Sequence, residues 1–138
     1  GITLVELLVV LAILALISAV VVINVLPAAD KASVDTTRLQ IDAIETALDQ
    51  YRLDMRSYPT MQQGLSALVT VPSDARNSAN YRPGGYLRGE VPADPWGNEF
   101  QYRIPGEQGG AYDLYSFGAD GEPGGEGLDA DIGNWTAK

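Results

Sequence analysis

The sequence predicts an α+β fold, in which one long N-terminal helix packs on a small antiparallel sheet. Three features predict it: an apolar run near the N-terminus, an amphipathic helical pattern after it, and two short stretches of alternating apolar and polar residues after position 99. With 138 residues, the chain has room for about one compact domain. We divide it into an apolar helix over residues 1–29 and a globular head over residues 30–138, which includes the second half of the long helix.

The first element is an apolar run of twenty residues from Leu7 to Leu26, interrupted only by Ser18 and Asn24. A helix of that length is about 30 Å long, which matches the hydrocarbon core of a bilayer. A helix of a soluble core would have a polar face, and this run has none. A cleavable signal peptide would need a basic segment ahead of a shorter run. No Lys or Arg precedes this run, so we predict a retained membrane helix.

The second element is an amphipathic helix from Asp30 to Met55. We expect this helix to pack on its own domain rather than in a coiled coil, because Thr37 interrupts the apolar seam. Pro27 leaves two possibilities open, two separate helices or one kinked helix. The apolar stripe, with members spaced three or seven residues apart, consists of Val34, Ile41, Ile44, Leu48, Tyr51 and Met55.

A short helix and a loop follow. Tyr58 precedes a proline, which favours an extended backbone and ends the helical pattern. Thr60 and Gln63 have the spacing of a capping box, which predicts a short helix that carries Leu65 and Leu68. Residues 72–85 are rich in Asn, Ser, Pro and Gly, so they are predicted as loop.

The sheet is predicted in the second half of the chain. Asp94-Pro95-Trp96-Gly97 fits a type I turn. The alternating residues Phe100–Ile104 and Tyr112–Phe117 predict two strands of an antiparallel hairpin. Tyr86-Leu87 is predicted to begin a third, edge strand. From Gly118 onward, glycine and acidic residues dominate.

Composition excludes several function classes. From Asp30 onward the chain has 17 acidic and 9 basic residues, a formal net charge of −8 (9 − 17), which disfavours nucleic acid as a partner. Cys and His are absent, so the usual zinc ligands and the commonest general base are missing. The acidic residues would permit one enzyme class, a glycosidase with paired carboxylates. Nothing in the sequence places two carboxylates across a cleft, and we predict that the chain is not an enzyme.

The stretch from Gly1 to Glu6 precedes the apolar run. A carboxylate at the edge of a membrane helix must be paired or reach the interface, or it can offset the helix dipole from the first turn. The stretch resembles the processing site of type IV pilins and their relatives. The resemblance implies that a prepilin peptidase cuts after Gly1, that Ile2 becomes the methylated N-terminal residue, and that Glu6 is the fifth residue of the mature chain. We expect Glu6 to act in assembly by pairing with the Ile2 amine of an adjacent copy.

Six further motifs narrow the resemblance to the major pseudopilins of type II secretion systems. They follow one another in order along nearly the whole chain. Type IV pilins generally close their C-terminal region with a disulfide, which a chain without Cys cannot form. The motifs are Ala47-Leu48-Asp49-Gln50-Tyr51, Tyr58-Pro59-Thr60, Gln62-Gln63-Gly64-Leu65, Asp94-Pro95-Trp96-Gly97-Asn98, Tyr112-Asp113-Leu114-Tyr115-Ser116 and Asp129-Ala130-Asp131-Ile132-Gly133-Asn134-Trp135.

The acidic, glycine-rich segment after the second strand has two interpretations. Carboxylates and carbonyls on flexible turns are the ligands that calcium prefers, although the spacing is not that of an EF-hand. A solvated acidic loop is the alternative. The resemblance implies a Ca²⁺ site with Asp120 and Asp131 as its firmest side-chain ligands, Asp129 as a weaker one, and backbone oxygens of Leu114 and Ser116. The ion would stabilise a head that has no disulfide.

The resemblance also implies a function and a location. The chain would cross the bacterial inner membrane once with its head in the periplasm, and then self-associate into a helical filament, the periplasmic pseudopilus, that helps drive folded proteins across the outer membrane. Minor pseudopilins, an inner-membrane assembly platform and prepilin peptidase would be its partners. Two alternatives remain: a minor pilin or type IV pilin-like subunit in adhesion or DNA uptake, and a monomeric, signal-anchored, calcium-binding periplasmic domain.

Overall fold

A computed structural model describes the backbone of residues 3–136, and the side-chain surroundings of residues 3–17 and 30–136. The chain divides into two compact units, Gly1–Ser33 and Val34–Lys138. The long helix and the antiparallel sheet confirm the predicted α+β class. The elements are helix α1 (Leu4–Met55), strands β1 (Gln101–Arg103), β2 (Asp113–Ser116) and β3 (Ile132–Gly133), and 3₁₀ helices at Leu65–Leu68, Ser78–Asn80 and Gly127–Asp129.

Helix α1 begins after Thr3, whose hydroxyl accepts a hydrogen bond from the Glu6 amide at 3.1 Å. The helix includes Pro27, so the proline does not separate two helices. Large apolar side chains from Leu4 to Ile17 are 49–74% exposed. Among the described residues, no helix is both long enough and apolar enough to cross a membrane. The side chains of residues 18–29, in the second part of the predicted membrane segment, lie outside the described residues.

The C-terminal half of α1 supplies one side of the core. Ile44 and Leu48 are completely buried, as the apolar stripe predicts. Thr37, which was expected to interrupt the stripe, is also fully buried, so the buried face of the helix continues through it. The helix residues pack in one cluster with residues of the sheet and of the first 3₁₀ helix, among them Leu65, Leu68, Phe100, Tyr112, Leu114 and Ile132.

The sheet has the order β1-β2-β3, and both neighbouring pairs are antiparallel. The hairpin of β1 and β2 is confirmed, with Tyr102 opposite Leu114. The prediction of a third strand at Tyr86-Leu87 is wrong. The amides of these two residues both donate to the Leu68 carbonyl, at 2.7 and 3.2 Å. In a strand, successive hydrogen bonds would go to different residues of a neighbouring strand, and that pattern is not present at these two residues. The third strand is β3, on the other side of β2.

Two local motifs form as predicted. The Thr60 amide donates to the Gln63 side chain at 3.0 Å, and the Gln63 amide donates to the Thr60 hydroxyl at 3.2 Å. These reciprocal bonds are the capping box, but they close a separate turn, because the first 3₁₀ helix begins only at Leu65, with Gly64 as its N-cap and no side-chain capping bond. In the turn at 94–97, the Gly97 amide donates to the Asp94 carbonyl at 3.0 Å, the bond expected of a type I turn.

Candidate functional site

The C-terminal loop, residues 117–131, joins β2 to β3 and contains the predicted calcium ligands Asp120, Asp129 and Asp131. Its two limbs are held together by the Ala119 amide, which donates to the Leu128 carbonyl at 2.9 Å. Gly118 has a φ of +80°, and a Cβ there would lie 2.7 Å from the carbonyl oxygens of both Leu128 and Ala130. Only glycine fits this close approach without strain. Gly118 therefore lets the two limbs of the loop meet beside the sheet.

The three acidic residues of the predicted site lie in this loop. The Asp120 carboxylate accepts the Glu122 amide at 3.1 Å, two residues further on. Both oxygens of Asp131 accept the Gly124 amide, at 3.1 and 3.2 Å. Asp129 ends the third 3₁₀ helix and is exposed. The carboxylates of Asp120 and Asp131 thus hold turns within the loop by bonding to backbone amides.

Leu114 and Ser116, the predicted backbone ligands, lie on β2 at the base of the loop. The Leu114 carbonyl accepts the Asn134 amide at 2.9 Å, and the Leu114 amide donates to the Asn134 side chain at 3.3 Å. Ser116 pairs with Ile132 of β3. Both residues are completely buried, so the base of the loop lies in the buried part of the sheet.

The donor set tests whether the loop suits calcium. Every predicted ligand atom is a carboxylate or carbonyl oxygen, which suits a hard cation and disfavours softer metals. Across residues 3–136, no three acidic side chains form a group that could hold a metal ion. A cation here would therefore depend on carbonyls as well as carboxylates. The ligand set stays a prediction.

Asp94 has a role that the sequence analysis missed. Its carboxylate is only 4% exposed and accepts three hydrogen bonds. One oxygen accepts the Trp96 amide at 3.1 Å and the Asn98 amide at 2.8 Å. The other accepts the Ser116 hydroxyl at 2.7 Å. The first two bonds are typical of Asp at the start of a turn, but the bond to Ser116 joins the turn to the strand from which the loop departs.

A second missed cluster lies at the C-terminal end of α1. The Arg82 guanidinium donates to Gln50 at 2.8 Å and lies 5.1 Å from the centre of the Tyr86 ring. The Tyr86 hydroxyl donates to Asp54 at 2.9 Å. Burial, together with the Asp54 carboxylate, raises the pKa of Tyr86 to about 12. This cluster fastens the segment around residues 82–86 to the helix.

At the N-terminus, the predicted processing residues Gly1 and Ile2 lie outside the described residues. Glu6 is exposed in the first turn of α1, where a carboxylate offsets the positive end of the helix dipole. Its pairing with another copy stays a prediction.

Comparison with known proteins tests the predicted resemblance. Residues 24–135 match the family "Type II secretion system (T2SS), protein G". The type II secretion system core protein G of Pseudomonas aeruginosa is 49% identical over 135 residues, which cover 98% of this chain and 94% of that protein. The protein of the same name from Vibrio cholerae is 49% identical over 136 residues, covering 99% of this chain and 91% of that one.

Among solved structures, the major pseudopilin from the type 2 secretion system of enterohaemorrhagic Escherichia coli matches with a TM-score of 0.69. It is 44% identical, and the match covers 83% of this chain and 96% of that chain. Sequence and fold therefore agree with the resemblance that the motifs predicted, and the chain belongs to the protein G family of the type II secretion system.

Proposed function

We propose that this chain is the structural subunit of a type II secretion pseudopilus, the filament that helps drive folded proteins across the outer membrane. The observation that carries the proposal is the exposed apolar surface of α1, together with the family to which the chain belongs. Between Leu4 and Ile17, large apolar side chains are 49–74% exposed, far more contiguous apolar surface than a soluble monomer normally presents.

Two environments would cover this surface in turn. Before assembly, the lipid of the inner membrane surrounds the helix while the head lies in the periplasm. After assembly, copies of the same helix replace the lipid, through a head-to-tail contact that does not close and so generates a fibre. Prepilin peptidase would process the chain between Gly1 and Ile2. In the fibre, the Glu6 carboxylate would meet the Ile2 amine of the adjacent copy, so that neither charge is buried alone.

The role is structural rather than catalytic. The sequence has no phosphate-binding loop motif, so the energy for assembly would come from a separate ATPase of the inner-membrane platform. Minor pseudopilins are the expected neighbours at the end of the filament. We propose no reaction for the acidic residues of the head.

Calcium is the proposed ligand of the head. Asp120 and Asp131 would provide carboxylates, with Asp129 as a further candidate, and backbone oxygens of Leu114 and Ser116 would complete the site. The oxygen-only donor set and the close approach of the loop limbs at Gly118 support this assignment. When bound, the cation would neutralise neighbouring carboxylates and tie the loop to the sheet.

The proposal is tested by deleting the gene in its host and overexpressing the chain in a complemented strain. Loss of exoprotein secretion on deletion, with filaments visible by electron microscopy on overexpression, is expected. Normal secretion combined with a defect in adhesion or DNA uptake would favour a minor pilin or type IV pilin-like subunit instead. Absence of filaments, with a monomeric calcium-binding head, would favour a signal-anchored periplasmic domain.

A further inference from the structure

Two buried carboxylates accept hydrogen bonds from backbone amides in segments that lead into strands of the sheet. Asp94 and Asp113 are each 4% exposed. Asp113 accepts the amides of Glu107 and Gln108, at 2.9 and 3.3 Å, in the connection between β1 and β2. Asp94 holds the 94–98 turn in the same way, but it also accepts the Ser116 hydroxyl at 2.7 Å. Asp113 is the first residue of β2, but of the two carboxylates only that of Asp94 is hydrogen-bonded to Ser116, where β2 leads into the C-terminal loop.

The bond from Ser116 to Asp94 has a fixed direction. An ionised carboxylate can only accept, so the single hydroxyl proton of Ser116 must point to Asp94. The lone pairs of the hydroxyl oxygen are then free to accept, and they receive the Gly118 amide at 3.1 Å. The three residues form a buried chain of hydrogen bonds, in which Asp94 holds the Ser116 hydroxyl and the Ser116 oxygen accepts the Gly118 amide.

This chain of hydrogen bonds ends at Gly118, where the two limbs of the loop approach each other closely. Gly118 is buried, has a left-handed φ, and faces the carbonyl oxygens of Leu128 and Ala130. A peptide that rotates at this point would disturb both limbs of the loop, because little space is available. The bond from Gly118 to Ser116 therefore determines where the loop begins and how its limbs approach each other.

We propose that Asp94 is the positioning residue of the C-terminal loop. Its carboxylate orients the Ser116 hydroxyl, which holds the Gly118 amide and so fixes the first turn of the loop before any cation binds. The predicted effect on calcium affinity rests on the proposed function, whereas the predicted effect on amide exchange in the loop does not. Groups that hydrogen-bond to metal ligands typically contribute 10–100-fold to metal affinity, since they hold the ligands in place.

The test uses the full chain in detergent, three single variants and the double variant Asp94→Asn/Ser116→Ala. Asp94→Asn keeps the shape of the side chain and its acceptor for the turn, but presents a donor to Ser116. Ser116→Ala removes the hydroxyl and leaves the turn at 94–98 intact. Asp113→Asn is the matched control, because it alters an equally buried carboxylate on the same sheet that does not contact Ser116 or Gly118. Amide hydrogen exchange without calcium and calorimetric titration with CaCl₂ are the two measurements.

We expect the Gly118 and Ala119 amides to exchange roughly tenfold faster in Asp94→Asn and in Ser116→Ala, the size of one net hydrogen bond. The Kd for calcium should rise about 10–100-fold in both variants. The double variant should add little, since both changes break one chain. Asp113→Asn should leave exchange at Gly118 and calcium affinity unchanged.

Wild-type exchange at Gly118 in Asp94→Asn would overturn the proposal. If Asp94→Asn unfolds the head, amide exchange will rise at every residue of the head, and Ser116→Ala becomes the deciding variant. Normal protection of the Gly118 amide in Ser116→Ala would then overturn the proposal. If the wild-type chain binds no calcium, the proposed cation site fails, while the exchange result still decides the role of Asp94.

Discussion

At the scale of single residues, polar side chains of the head determine how irregular segments are held. Arg82 and Tyr86 lie far along the chain from Gln50 and Asp54, and the contacts between them join a loop to the end of α1. The ring of Tyr86 also packs edge-on against Tyr51 and Tyr81, with centroids 5.5 and 5.2 Å away. The loop is thus attached by rings in edge-to-face contact and by a tyrosine that must keep its proton to donate to Asp54.

The stability of the head should therefore fall at high pH. Burial raises the pKa of Tyr86 to about 12 in the folded state, whereas the hydroxyl ionises near its ordinary value of 10 when unfolded. The folded state thus binds more protons in this range, and the stabilisation, complete below pH 10, is lost as the pH rises through about 12. Thermal unfolding by circular dichroism from pH 8 to pH 12 should show a steeper loss for the wild type than for Tyr86→Phe. Parallel curves would contradict this.

At the scale of elements, a feature could be predicted from the sequence when its interacting groups lie close together in the chain. The capping box at Thr60 was predictable because its two partners are three residues apart. The apolar stripe through Leu48 was predictable because the helical period repeats several times along α1. β3 has only two residues, Ile132–Gly133, so it offers no alternation to detect. The bond from Ser116 to Asp94 spans 22 residues and depends on tertiary packing, so no local pattern indicates it.

The stripe of α1 gives a direct test of the helix as a packing element. Leu48 is completely buried, whereas Leu53, five residues further along the helix, is 80% exposed. Leu48→Ala should lower the free energy of unfolding by about 2–5 kcal/mol, because it removes contacts and leaves a cavity. Leu53→Ala is the matched control and should change it by about 0.5 kcal/mol or less. Chemical denaturation measures both, and equal effects would show that the stripe does not face the core.

The C-terminal loop is the element whose stability should depend on calcium. Millimolar CaCl₂ should raise the melting temperature of the head in a concentration-dependent way, since a ligand that binds only the folded state stabilises it. Magnesium should substitute poorly, because it demands a smaller, regular octahedron of ligands. Asp120→Ala should abolish the response. Glu122→Ala removes a carboxylate from the same loop but keeps the backbone amide that donates to Asp120, so it should retain the response. A calcium response that persists in Asp120→Ala would remove this residue from the site.

At the scale of the whole molecule, the two units differ in how their apolar side chains are covered. The core residues, from Ile41 to Ile132, all lie within the unit Val34–Lys138, so this unit buries its own apolar side chains. The unit Gly1–Ser33 instead presents exposed apolar side chains on α1. In the proposed function, lipid or other copies would cover that surface, and the hydrophobic effect would favour assembly over a dispersed monomer in water.

Glu6 is the one charged side chain before Asp30, so it would lie in the apolar part of the proposed filament. In a fibre, its carboxylate would be surrounded by apolar helices, and an unpaired charge there is strongly unfavourable. Pairing with the Ile2 amine of an adjacent copy would compensate both charges and select the axial position of each subunit. Glu6→Ala should therefore leave insertion into the inner membrane intact but reduce filament yield and secretion severely. Glu90→Ala, which removes an exposed carboxylate of the head, is the control and should assemble normally. Fractionation of membranes and sheared filaments, followed by immunoblotting, measures both steps, and a normal filament yield from Glu6→Ala would exclude the pairing.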